Sequence, residues 1–145
     1  MRYVVTKGNA TFAIDTNDTL WAWGNNGGLF GAGILGDGTI FDADSVEDYM
    51  WVWVSDDYND GPVWLLDDDG GTGLRLSPVR ILDNVASIDF GFSIDHGVVG
   101  SFNSFALTKC GSVWAWGDNY FWGLALLGDG THERRLSPVQ IIEGR

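Results

Sequence analysis

The feature that most constrains this chain is a run of short blocks that occurs twice in the same order. Leu20-Trp21-Ala22-Trp23-Gly24 returns as Val113-Trp114-Ala115-Trp116-Gly117. Upstream, Thr11-Phe12-Ala13-Ile14-Asp15 matches Ser104-Phe105-Ala106-Leu107-Thr108. Downstream, Leu35-Gly36-Asp37-Gly38-Thr39 matches Leu127-Gly128-Asp129-Gly130-Thr131, and Arg75-Leu76-Ser77-Pro78-Val79 matches Arg135-Leu136-Ser137-Pro138-Val139. Fixed-order internal repetition implies one structural unit used twice, and it must be recognised before any other reading of a chain. It also makes the repeated aromatics and glycines (Trp21, Trp23, Gly24, Gly36, Gly38 and Trp114, Trp116, Gly117, Gly128, Gly130) packing and turn residues of that unit.

Within each block apolar residues alternate over four or five positions and then meet Gly, Asn or Asp, the pattern of short strands with tight turns. Twenty-one glycines against three prolines, with 45% apolar residues, suit an all-β protein with a packed core, and long helical periodicity is absent. Twenty acids face eight Lys and Arg, a net charge of −12. Such a surface repels phosphate backbones, and Arg134-Arg135 is the nearest thing to a basic patch, so nucleic acid is not an expected partner. Nowhere do 18 consecutive apolar residues occur and the first residues do not read as a signal peptide, so no membrane contact is expected and the compartment is left undetermined. Cys110 is alone, which excludes an intrachain disulfide.

Along the chain, Val4 to Gly8 reads as a strand, with a counterpart at Ile88 to Gly91. Thr11 to Asp15 and Leu20 to Trp23 read as a hairpin around Thr16-Asn17-Asp18-Thr19. Period-two alternation puts Trp21 and Trp23 on one face, Leu20 and Ala22 on the other, with one face packing sheet on sheet. Pro78 and Pro138 are expected to open short strands. Two segments lack counterparts. Residues 40–74 stand where the second copy needs only His132-Glu133-Arg134, and residues 93–103, centred on Ser93 to Gly100, read as an inserted loop. In the first insertion Met50 to Val54 and Pro62 to Leu66 read as the arms of a hairpin.

These blocks resemble the RCC1-type repeat, the unit of the regulator of chromosome condensation and of many bacterial propeller proteins. Gly91, Phe105 to Leu107, Gly111, Val113 to Asn119, Leu127 to Thr131 and Pro138 to Ile141 carry the resemblance in the second copy. Gly8, Phe12 to Ile14, Leu20 to Asn25, Leu35 to Thr39 and Pro78 to Ile81 carry it in the first. The resemblance implies a β-propeller built of four-stranded antiparallel blades out of phase with the sequence repeats. It implies one repeat region over residues 1–145, repeat 1 at about 8–83 and repeat 2 at about 91–143. Two repeats do not close a propeller, because each sheet needs neighbours on both faces. Met1 aligns with Asn84 and Arg145 with Val85, so the chain reads either as part of a longer propeller or as a unit that closes an oligomeric ring.

Chemistry is sparse. His96 and His132 are the only histidines, and neither has a Ser or Cys at a spacing that suggests nucleophilic catalysis, so no active site and no cofactor are expected. Asp56, Asp60 and Asp67 fall at positions 1, 5 and 12 of a calcium-loop pattern. Tyr58 replaces a ligand there and Asp67 the bidentate Glu, so an acidic hairpin turn accounts for the same letters. The unrepeated aromatics Trp51, Trp53, Tyr58 and Trp64 are candidate partner-binding residues, since Trp and Tyr dominate interface energies. The expected function is a non-enzymatic scaffold that presents this acidic, aromatic insertion to a protein partner. The alternatives are a self-assembling structural protein and a propeller enzyme. Nucleotide exchange does not carry over, because nothing here matches the family's GTPase contact.

Overall fold

A computed structural model describes residues 1–7, 10–26, 33–39, 49–52, 63–66, 74–95, 98–121 and 124–145. The chain divides into two compact units, Met1–Phe41 with Thr72–Arg145, and Asp42–Gly71. The described residues are all-β, without a helix. In chain order the strands are β1 (Tyr3–Lys7), β2 (Ala10–Ile14), β3 (Leu20–Asn25), β4 (Tyr49–Val52), β5 (Val63–Leu66), β6 (Leu74–Leu82), β7 (Val85–Asp95), β8 (Val98–Thr108), β9 (Val113–Gly117), β10 (Tyr120–Phe121), β11 (Leu124–Ala125) and β12 (Arg135–Ile142).

The larger unit holds two four-stranded antiparallel sheets, ordered β1-β2-β3-β6 and β7-β8-β9-β12, in each of which the first three strands are consecutive and the fourth joins after an intervening strand pair, β4–β5 or β10–β11. Neither sheet closes on itself. The repeat is kept in the register: Phe12 opposes Ala22 and Phe105 opposes Ala115, while Ile14 opposes Leu20 and Leu107 opposes Val113. The first hairpin turns as its letters suggest. Asp15 accepts from the Asn17 and Thr19 N–H groups at 2.8 and 3.0 Å, and its other oxygen takes the Trp21 indole N–H at 2.9 Å. An Asp side chain bonding its own turn favours that turn over competing conformations. At the far end of the second hairpin Gly117 has φ 101°, and a Cβ there would lie 2.8 Å from the Phe102 carbonyl. Only glycine fits that approach.

Two expectations are corrected. Pro78 and Pro138 lie inside β6 and β12 instead of opening them. Both strands are sheet edges, and the pairing slips between Arg75 and Val79 and between Arg135 and Val139, so the missing proline N–H falls in an irregular stretch. Residues 93–103 are no loose loop. The ladder runs on through Phe92↔Phe102, Ser93↔Ser101, Ile94↔Val99 and Asp95↔Val98, extending β7 and β8 as one long hairpin.

The core lies between the two sheets. Phe12, Ile14, Leu20 and Ala22 of the first sheet are buried with Val85, Ile88, Ala106 and Trp116 of the second, together with Ile34 and Leu35 from the turn after β3. The Phe12 and Phe90 rings meet with centroids 4.7 Å apart, tilted at 49°. Such aromatic pairs add about 0.5–1.5 kcal/mol beyond the area they bury. The sheets use opposite faces: the first turns its Leu20/Ala22 side inward and the second its Trp114/Trp116 side. The smaller unit contains the hairpin β4–β5, with Tyr49↔Leu66, Met50↔Leu65, Trp51↔Trp64 and Val52↔Val63 in register.

Candidate functional site

The most organised polar cluster in each sheet is a clasp that ties the glycine turn to the fourth strand. In the first, the buried Asn26 amide donates to Asp37 Oδ1 at 2.8 Å and to the Thr39 carbonyl at 2.7 Å, and Asn26 Oδ1 receives the Leu35 N–H at 2.9 Å. Asp37 also receives the Thr39 N–H and hydroxyl, at 3.0 and 2.7 Å. Arg75 closes the clasp, its Nε on Asp37 and its Nη2 on the Thr39 hydroxyl at 2.8 Å. Asn119, Asp129, Thr131 and Arg135 repeat this arrangement bond for bond in the second sheet. Burial alone raises the Asp37 carboxyl, but the Thr39 and Arg75 hydrogen bonds outweigh it and hold the group below the ordinary carboxylate range. Burial likewise raises and Arg135 and Thr131 then more than offset it at Asp129, which ends well below its usual value. These are charge-assisted bonds, about twice as strong as neutral ones.

The first clasp has a further consequence. Thr39 and Arg75 flank the unrepeated residues 40–74, so the clasp joins the two residues between which the insertion begins and ends. The second bridges only His132-Glu133-Arg134. Arg134 and Arg135 are each paired with an aspartate: Arg134 donates to Asp118 at 2.9 Å and Arg135 to Asp129. Burial pushes the Asp118 carboxyl up despite that arginine.

The repeated tryptophans divide. Trp116 is fully buried and donates to the Ile34 carbonyl at 2.8 Å, beside the Ser104 hydroxyl at 3.0 Å. Trp114 packs against the core, while Trp21 and Trp23 are half-buried on the other side of the first sheet. Gly24, Gly36, Gly38, Gly128 and Gly130 join Gly117 in the left-handed region, with φ between 76° and 103°.

Of the candidate partner-binding residues, Trp51 and Trp64 are register partners in the β4–β5 ladder. Trp53 and Tyr58, the calcium-pattern residues Asp56, Asp60 and Asp67, and His96 lie outside the described residues. Among the described residues no group of three or more His, Cys, Asp or Glu side chains is placed to hold a metal ion. An open cleft of about 540 Å³ runs past Asp15, Trp21, Arg80 and Asp83. Among its charged groups, Asp15 is engaged by its turn and by Trp21, and Arg80 is paired with Asp83. Cys110 is exposed, and hydrogen bonds from Ser112 and then Thr108 lower its thiol to about 7.

The sequence reading missed the clasps. Their signal was present, because Asn, Asp, Thr and Arg hold matched positions in both copies, but only the fold shows that they meet. No protein-family model matches this chain, and a search of curated proteins finds no match.

Proposed function

We propose that the chain is a non-enzymatic binding scaffold, in which two RCC1-type propeller blades carry the segment between Thr39 and Arg75 as a partner-binding element. The carrying observation is that Asp42–Gly71 within this segment form a compact unit, while Thr39 and Arg75, which flank the segment, are joined to each other by the clasp. The two four-stranded sheets, their shared register and their stacked packing support the blade reading. A scaffold whose core and clasps lie outside the presented element can vary that element without refolding.

Residues 40–74 hold ten of the twenty acids and neither Lys nor Arg. The partner this composition fits is a basic protein surface with apolar pockets for tryptophan, bound by complementary charge and by aromatic anchors. Exchange of residues 40–74 for His-Glu-Arg, the second copy's own connection, tests the reading. Peptides selected on the full chain from a library are expected to be basic, to bind less as salt rises and to lose binding to the exchanged variant. Retention of those peptides by a folded exchanged variant sinks the proposal.

A further inference from the structure

The sheet-to-sheet contact inside this chain uses one face of each repeat unit, which leaves two faces over. On the first sheet the remaining face carries Trp21, Trp23 and Thr11, the counterparts of Trp114, Trp116 and Ser104. On the second it carries Phe105 and Leu107, the counterparts of Phe12 and Ile14. The open faces are therefore repeat copies of the two faces that already fit one another. We propose that they bind each other between chains, the Phe105/Leu107 face of one copy seating on the Trp21/Trp23 face of a second copy.

The internal contact specifies what each group would do. Trp116 and Ser104 both donate to the Ile34 carbonyl. Their counterparts Trp23 and Thr11 make no side-chain hydrogen bond among the described residues, and the carbonyl they would reach is that of Leu126 in the second copy. Gly36 lies against the Trp116 indole, whereas its counterpart Gly128 is exposed, with only Ile141 near. The Gly38 N–H donates to the Leu136 carbonyl at 2.8 Å. The matching pair is Gly130, with nothing within 4 Å of where a Cβ would stand, and Leu76, which is 91% exposed.

Burial follows the same rule. Ile14 is 1% exposed and its counterpart Leu107 is 43% exposed. Ile88, opposite Ala106, is 7% exposed, and Val4, which holds the same register opposite Ala13, is 54% exposed. Large side chains left open on both faces, each at a position buried in the sister sheet, mark an interaction surface of matching shape. The occupant is a second copy of this chain, because its Leu126–Gly130 turn reproduces the groups that the Trp116 face already holds. Such a contact is head-to-tail, and it closes into a ring where the rotation permits. It is independent of residues 40–74, so it stands or falls apart from the scaffold reading.

Sedimentation of the full chain over a concentration series is expected to show a mass above one chain that grows with concentration. Leu76→Glu spoils the receiving face and Leu107→Glu the inserting face, so each variant alone is expected to stay monomeric. Mixed, they are expected to form a 1:1 pair and nothing larger, since one intact junction survives between them. That recovery shows at once that both variants fold. A monomeric wild-type chain at every concentration overturns the proposal. So does assembly whose two variants fail to pair when mixed, or assembly that the His-Glu-Arg exchange abolishes, which would make the insertion the contact.

Discussion

The indole N–H of Trp116 donates to the carbonyl of Ile34 at 2.8 Å, joining the last residues of β9 to the turn that follows β3. That bond holds the ring flat against Gly36, where a Cβ would fall 2.6–2.9 Å from three indole atoms. A buried ring this close to backbone makes the glycine a steric requirement as well as a conformational one.

Gly36→Ala and Gly128→Ala separate those two requirements. The positions are repeat counterparts with φ of 76° and 80°, so both substitutions carry the left-handed penalty of about 1–2 kcal/mol. A Cβ at Gly128 meets only Ile141, at 3.5 Å. Gly36→Ala is expected to cost a further ~1–3 kcal/mol for displacing Trp116. Urea unfolding in dilute solution measures the difference, and equal costs would show that the ring yields freely.

The clasps predict the acid limit of stability. Asp37 and Asp129 both titrate below their ordinary values in the folded chain. A depressed folded pKa contributes stability that is complete above the unfolded value, about 3.9, and is lost as pH falls through the folded one. Thermal midpoints are therefore expected to drop steeply below about pH 4. Asp37→Asn is expected to cost about 1.5–3 kcal/mol at neutral pH by removing charged hydrogen bonds, and to flatten the acid limb. An unchanged acid limb in that variant would remove the clasp from the account.

Cys110, in the turn between β8 and β9, supplies another test. With the Ser112 and Thr108 hydrogen bonds stabilising the thiolate, alkylation by iodoacetamide is expected to reach half its maximal rate near pH 7. An ordinary exposed thiol does so near pH 8.5. Ser112→Ala is expected to move the profile upward toward that value, and the alkylation rate against pH reads the shift directly.

Strands and turns were legible because their causes are local. Alternation set the β2–β3 and β8–β9 hairpins, and Asp15 and the repeat glycines marked turns whose backbone they support within a few residues. Where two strands would continue pairing was less legible: residues 93–103 lack a repeat counterpart, and the letters alone do not distinguish a loop from a longer ladder. The full length of the strands that hold Pro78 and Pro138 is not local information either, since an edge bulge tolerates the prolines only in the paired context. Of the candidate partner-binding residues, the structure adds the pairing of Trp51 with Trp64.

The β class, the duplication and the turn positions follow from the letters alone, because alternation and glycine backbone freedom act over a few residues. That the same Trp-Ala-Trp strand buries Trp116 in one sheet and leaves Trp23 half-open in the other is a matter of packing. Both copies carry nearly the same letters, so local preference cannot distinguish them; the neighbour stacked on each face does. The clasps follow the same logic, as Asp37 and Arg75 stand far apart in sequence and meet only when β6 pairs with β3, where a buried carboxylate requires its arginine.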